Sequence, residues 1–218
     1  MSAESSIRAF VDAADEYLAR HPGPGIDDVR AGLAASRAQR FEPHAAMANA
    51  IVEAHLEPAL ASLRAGEPQL AARIETIAPH LQWITYDAYL RDQIGDGFAE
   101  GHAFASVIGG GAPLPAADYD FGLFLIAPHV LYRDRAHKAP ELYAPLTGPH
   151  GWRFGPGLPL EIWPAHQPVW NDPHRPHLTK IGPTPFLCLF CWTRDVNEPA
   201  VVLPADDWPA LEALRIAS

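Results

Sequence analysis

The chain has 218 residues, of which 48% are apolar and 19% charged, and a formal net charge of −10 with histidine counted as neutral. This fits one compact domain, or one core with an appended helical segment, and excludes a disordered chain. The acidic balance argues against nucleic acid, which is bound by Lys and Arg neutralising phosphates, and no apolar run approaches a membrane span.

From Ser6 to about Gln82 the spacing is helical. Ile7, Phe10, Val11, Ala14, Tyr17 and Leu18 recur at three- and four-residue intervals, with Ser5 and Ser6 as expected N-caps. His21-Pro22-Gly23-Pro24-Gly25 closes that helix and opens a turn. The pattern predicts further helices over 26–37, over about 44–63 with Pro58 as a kink or break, and over 69–77. Their charged residues read as solvated faces. They would cover one side of a sheet or build a dimer contact, so a monomer or homodimer is expected.

After Trp83 the texture changes. Short apolar or alternating runs fall at 102–108, 121–126, 130–133, 141–146, 151–154, 160–163, 177–181 and 186–192, separated by Gly, Pro, Asn and Asp. Short, regularly spaced strands with turn signals predict an antiparallel sandwich or barrel. Most prolines lie here, as befits edges and turns. Gly109-Gly110-Gly111 is followed by no helix and reads as a hairpin loop instead of a phosphate cradle. Cys188 and Cys191 are formally a C-x-x-C pair. They sit in a strand-like run whose odd spacing sends them to opposite faces, so core packing is expected. Trp208 to Ile216 reads as a closing helix begun by Asp206, Asp207 and Pro209. The expected layout is a helical segment (1–82) packed on a β-barrel (83–205), then a C-terminal helix (206–218). The N-terminus lacks a basic region followed by a long apolar one, so the cytoplasm is the expected compartment.

The chemistry concentrates in His137-Lys-Ala-Pro-Glu141-Leu-Tyr143, with His177 on a later segment. A strand alternates its side chains with period two, so Glu141 and Tyr143 share a face, and His137 lies just before it. Imidazole and carboxylate are ligands suited to zinc, iron, manganese or nickel. His174 competes with His177, which directly opens a strand and is favoured. His129, His150 and His166 have no spacing argument and read as structural.

The β-rich half resembles the cupins, jelly-roll barrels that hold a metal among inward-facing side chains. His137, Glu141 and Gly148 fit the later part of their first motif, and Pro176-His177 fits the histidine of the second. Tyr132, Tyr143, Leu146-Thr147-Gly148, Trp152 and the 186–192 strand sharpen this to a resemblance to the Q-type cupin lyases of dimethylsulfoniopropionate. The implied fold is a cupin barrel preceded by helices, mainly β with an α-helical N-terminal part. The implied activity is cleavage of that zwitterionic sulfonium to dimethyl sulfide and acrylate. By residue match, His137, Glu141, Tyr143 and His177 would bind a divalent metal, with zinc or iron favoured over manganese or nickel. Tyr143 and Tyr132 would be the catalytic phenols, and Trp192 with Tyr132 would contact substrate. Two positions depart from the pattern. Arg135 stands where many cupins have their first histidine, and Ile181 where they often have Asn.

The reaction is a β-elimination, and its demanding step is proton removal beside an anionic carboxylate. A metal would offset that charge and favour a phenolate at Tyr143 as base, with Tyr132 as partner or alternate base. Aromatic faces would hold the sulfonium, with Trp152 and Trp170 as further candidates. The rival readings are a cupin dioxygenase and a non-catalytic cupin that binds a small molecule.

Overall fold

The computed structural model describes residues 2–217. The chain begins with α1 (Ala3–Ala19), α2 (Ile26–Ser36), α3 (Ala50–Arg64) and α4 (Pro68–Ile77). The α1 cap is Ser2, whose hydroxyl accepts from the Ser5 amide at 3.2 Å, so the helix starts earlier than the apolar spacing alone implies. Asn49 caps α3 by accepting from the Ile51 amide at 2.9 Å, which leaves 44–49 outside the helix. Pro58 does not end α3. Ala54 and Pro58 are both exposed, so water can satisfy the carbonyl that the missing N–H leaves free.

Two short helices follow, α5 (Arg91–Ile94) and α6 (Asp96–Ala99), and then the strands. These are β1 (His102–Gly109), β2 (Leu114–Pro115), β3 (Asp120–Ile126), β4 (Leu131–Ala136), β5 (Glu141–Pro145) and β6 (His150–Arg153), followed by β7 (Glu161–Trp163), β8 (Val169–Asn171), β9 (His177–Ile181), β10 (Phe186–Trp192) and β11 (Val201–Val202). They form a six-stranded sheet, β2-β1-β3-β10-β5-β8, facing a five-stranded one, β11-β4-β9-β6-β7. All pairings are antiparallel except β1 with β2. The glycine run at 109–111 therefore does not make the expected hairpin, because β2 runs alongside the end of β1 in the same direction. The closing helix α7 (Trp208–Ala213) stops short of Ile216. The result is a jelly-roll barrel of the cupin type with helices before it.

Alternation along the central strands explains the layering. Leu123 and Leu125 of β3, and Leu187, Leu189 and Cys191 of β10, point outward and pack with Phe10, Leu18, Leu33, Leu60 and Ile74 of the helices. Phe124 and Ile126 of β3, and Phe186, Cys188 and Phe190 of β10, point into the barrel. The two cysteines are free, buried and in different clusters, as their odd spacing predicts. β1 and β3 approach so closely that a Cβ on Gly122 would lie 2.1 Å from the Ala105 carbonyl oxygen, so only glycine fits there. On the other sheet, buried Arg153 bridges Asp134 and Asp207, and Trp208 donates to Asp134, which ties α7 to the barrel. Among the described residues no helix is long and apolar enough to cross a membrane.

Candidate metal centre

Four strands and one turn assemble the site. The turn between β4 and β5 carries His137, Glu141 opens β5, and His177 opens β9. Register does the rest. Trp192 lies directly opposite Glu141 across β10 and β5, and Arg135 opposite His177 across β4 and β9.

One ligand atom from each of His137, Glu141 and His177 falls within 4.8 Å of the others, and all three residues are buried. His137 Nε2 is 3.0 Å and His177 Nε2 3.3 Å from the same carboxylate oxygen, Glu141 Oε2. The Nδ1 atoms face backbone carbonyls, Ala139 at 2.8 Å and Arg175 at 2.9 Å. A carbonyl can only accept, so each Nδ1 carries a proton and each Nε2 is the ring nitrogen turned toward Oε2. The other oxygen, Oε1, accepts from Trp192 Nε1 at 2.8 Å. Glu141 is therefore held by one oxygen while the other is presented. His177 Nε2 has no aligned hydrogen-bond partner among the described residues despite full burial.

Two Nε2 atoms and a carboxylate oxygen gathered this closely are a donor set that fits a cation. Ligands each about 2.0–2.2 Å from one ion stand roughly 3.0–3.4 Å apart, the separations seen here. Electrostatics agree. Burial, and next the Arg135 charge, pull His177 down to about 4, so it stays neutral and able to ligate. Burial alone would raise the Glu141 carboxyl, but His137 and His177 outweigh it and hold it well below the usual carboxylate range.

Arg135, noted in the sequence only as a departure, is fully buried beside this triad. Its Nη2 donates to the Tyr143 hydroxyl at 3.1 Å, and its Cζ lies 3.3 Å from the centroid of the Tyr132 ring. Nη1 makes long contacts of 3.4–3.5 Å to the carbonyls of Tyr132, Arg133 and His177, and Nε has no partner among the described residues. None of the ion pairs among the described residues involves it. The hydroxyls of Tyr132 and Tyr89 share a hydrogen bond of 2.9 Å. Burial pushes the Tyr132 phenol up to about 12 against the opposing pull of Arg135. It pushes Tyr143 well above its ordinary value, helped by Glu141 and opposed by Arg135.

Beside these groups lies a cavity of about 160 Å³. Tyr132, Glu141, Tyr143 and Trp192 line it, whereas His137 and His177 sit behind that lining. Trp152 and Trp170 do not reach it. Trp152 is buried in the core 5.3 Å from Tyr143, and Trp170 packs toward the helical layer near Gly25. His174 is exposed, in a turn with positive φ, and contributes only its amide to the His137 carbonyl at 2.7 Å. His129 and His166 also occupy positive-φ positions, and His150 accepts from Trp152 Nε1. Spacing gave no warning of Tyr86, Tyr89, Phe98, Phe104, Asp120, Phe124 and Phe190, which with Val196 and Ala200 complete the wall. The one available signal was the density of aromatic residues.

Comparison with known proteins gives a consistent result. A family model described as dimethylsulfoniopropionate lyase matches residues 29–188. A chain from the crystal structures of the DMSP lyases RdDddP and RnDddQII superposes with a TM-score of 0.67 at 16% identity, covering 93% of this chain and 100% of that one. The DMSP lyase DddQ from Ruegeria pomeroyi DSS-3 superposes at 0.59 with 21% identity, over 89% and 95% of the two chains. At these identities the superpositions speak to fold. No curated protein sequence matches.

Proposed function

The chain belongs to the dimethylsulfoniopropionate lyase family, and from that premise we propose that it eliminates dimethyl sulfide from dimethylsulfoniopropionate to leave acrylate. The observation that carries this reading is the convergence of two imidazole nitrogens and a carboxylate oxygen at the edge of a cavity holding two tyrosines. A base removes the proton from the carbon next to the substrate carboxylate. The freed electron pair forms the C=C bond, and the C–S pair departs on neutral sulfur. Sulfide leaves readily, so proton removal sets the demand.

His137, Glu141 and His177 would hold a divalent ion, with Tyr143 as a further ligand. Zinc or iron is the first choice, and manganese and nickel also suit such donors. When bound, the ion supplies positive charge that offsets the substrate carboxylate and eases loss of the adjacent proton. Tyr143 accepts that proton. Burial works against its phenolate, and the chain's own answer is the Arg135 guanidinium 3.1 Å away, which stabilises negative charge on the phenolic oxygen. Tyr132, bonded to Tyr89 and stacked on Arg135, is the partner or alternate base. Trp192 serves twice. Its N–H fixes Glu141, and its ring offers a face to the sulfonium.

Purified protein supplied in turn with zinc, iron, manganese or nickel should release dimethyl sulfide and acrylate in equal amounts without oxygen uptake, and chelator should stop it. No release with any of these metals would reject the lyase reading, and oxygen consumption would move it to a dioxygenase.

A further inference from the structure

Asp120 opens β3 and lines the same cavity. Its Oδ1 is shielded from solvent and has no hydrogen-bond partner among the described residues, and no basic side chain there lies within ion-pair distance. Burial pushes its carboxyl up to about 6, and a hydrogen bond from Ser106 lowers it only in part. A shielded carboxylate without a countercharge is costly, and the Ser106 hydrogen bond offsets only part of that cost.

Register fixes where this charge sits. Trp192 is directly opposite Asp120 on one side and directly opposite Glu141 on the other. All three therefore project from one face, and strands about 4.8 Å apart put the two carboxylates' backbones about 10 Å apart, with the indole between. The walls at the Asp120 end are aromatic. Phe104 and Phe190 meet edge to face at 6.0 Å, close to Trp192 and Tyr86. Arg135 is at the far side, behind Tyr132. This corner thus combines negative charge with ring faces, the pairing that suits a soft, poorly hydrated cation.

We infer that the Asp120 carboxylate is the countercharge for the cationic end of the ligand, making this corner a subsite that selects an onium head over a neutral one. The inference rests on the reading of the cavity as the site for a sulfonium zwitterion. The lengths agree. In a three-carbon acid the carboxylate and the β-heteroatom are roughly 5 Å apart by ordinary bond lengths, and one contact at each end spans the distance from the Glu141 end to Asp120. Asp120 is a specificity residue in this scheme. It takes no proton from substrate and touches no ligand of the metal triad.

The test compares two non-reacting probes on metal-supplemented protein by calorimetry. One is 3-(trimethylammonio)propionate, which keeps the cation, and the other is 3-(methylthio)propionate, which keeps the chain and carboxylate without it. Wild type should bind the cationic probe more tightly. Asp120→Asn should weaken that probe about ten-fold and the neutral one by less than about two-fold, raising KM for the sulfonium more than it lowers kcat. Asp120→Glu should restore part of the preference. Equal weakening of both probes, or none, would overturn the role of Asp120. Wild type that does not prefer the cationic probe would overturn the subsite without recourse to any variant. Preferred cation binding that is lost in Asp120→Asn, in a protein releasing no dimethyl sulfide, would leave the subsite standing and reject the lyase reading alone.

Discussion

The two faces of the six-stranded sheet are built from alternate residues of the same strands, yet they do opposite work. Outward, Leu123, Leu125, Leu187, Leu189 and Cys191 meet the helices in a seam without a charge. Inward, the same sheet carries Asp120, Glu141 and Tyr143 among aromatic rings, with orphaned polar atoms at Asp120 and, across on β9, at His177. Buried, unpaired polar groups cost free energy, and the helical face is what offsets that cost. Stability is made on one side and chemistry on the other, one residue apart along each strand. Substitutions on the two faces should therefore separate cleanly.

The largest effect should come from the triad. His177→Ala or Glu141→Ala should lose the bound ion by elemental analysis and cut turnover about a thousand-fold. Leu189→Ala, on the opposite face, should cost about 2–5 kcal/mol of unfolding free energy with metal stoichiometry intact. Full metal occupancy in His177→Ala would show that the ligands are misassigned. Next in size, Tyr143→Phe should lower kcat by about a hundred-fold or more while the fold and Tm hold. A wild-type rate would remove Tyr143 from the base role. Arg135→Met should have a smaller effect, about ten-fold in kcat, and should shift the pH profile. Loss of a cation raises the Tyr143 pKa, so the limb that rises with pH should move to higher pH. An unmoved limb would mean that Arg135 does not act through Tyr143.

The same contrast explains what the sequence disclosed. Alternation in 186–192 carried both faces of β10 and the separation of its two cysteines, because period-two patterning is strong over seven residues. β2, β8 and β11, of two or three residues, are too short for any period to register. The convergence of His137, Glu141 and His177 was legible because Glu141 and His177 open strands and His137 lies in the turn just before one of them. The Asp120 and Tyr89 assignments were not. Asp120 reads as a turn residue at a strand's edge, and Tyr89 lies in an irregular stretch between Trp83 and α5 that reaches the cavity only through tertiary packing. Arg135 was visible as an anomaly, but its contact with Tyr132 follows an irregularity within β4, and its bond to Tyr143 joins two sheets.

The last prediction concerns stability alone and His102, on the barrel side of β1. Its Nε2 accepts the Tyr86 amide at 3.0 Å, its Nδ1 faces the Phe98 carbonyl, and its ring stacks on Phe98 with centroids 3.9 Å apart. That arrangement needs the neutral ring, and burial pulls its pKa down to about 4, the hydrogen bond that Nδ1 donates to the Phe98 carbonyl opposing only in part. In the unfolded chain the same ring titrates near 6.5. Between those values the unfolded state binds a proton that the folded state refuses, so the contribution of His102 is present above about 6.5 and is lost as pH falls toward 4, amounting to up to about 3 kcal/mol. His102→Gln can keep both hydrogen bonds but cannot titrate. Wild type should be the more stable at pH 7, and the difference in unfolding free energy should narrow steadily on acidification to pH about 4.5. A difference that stays constant with pH would mean that His102 is charged within the fold, which the Tyr86 N–H pointing at Nε2 opposes.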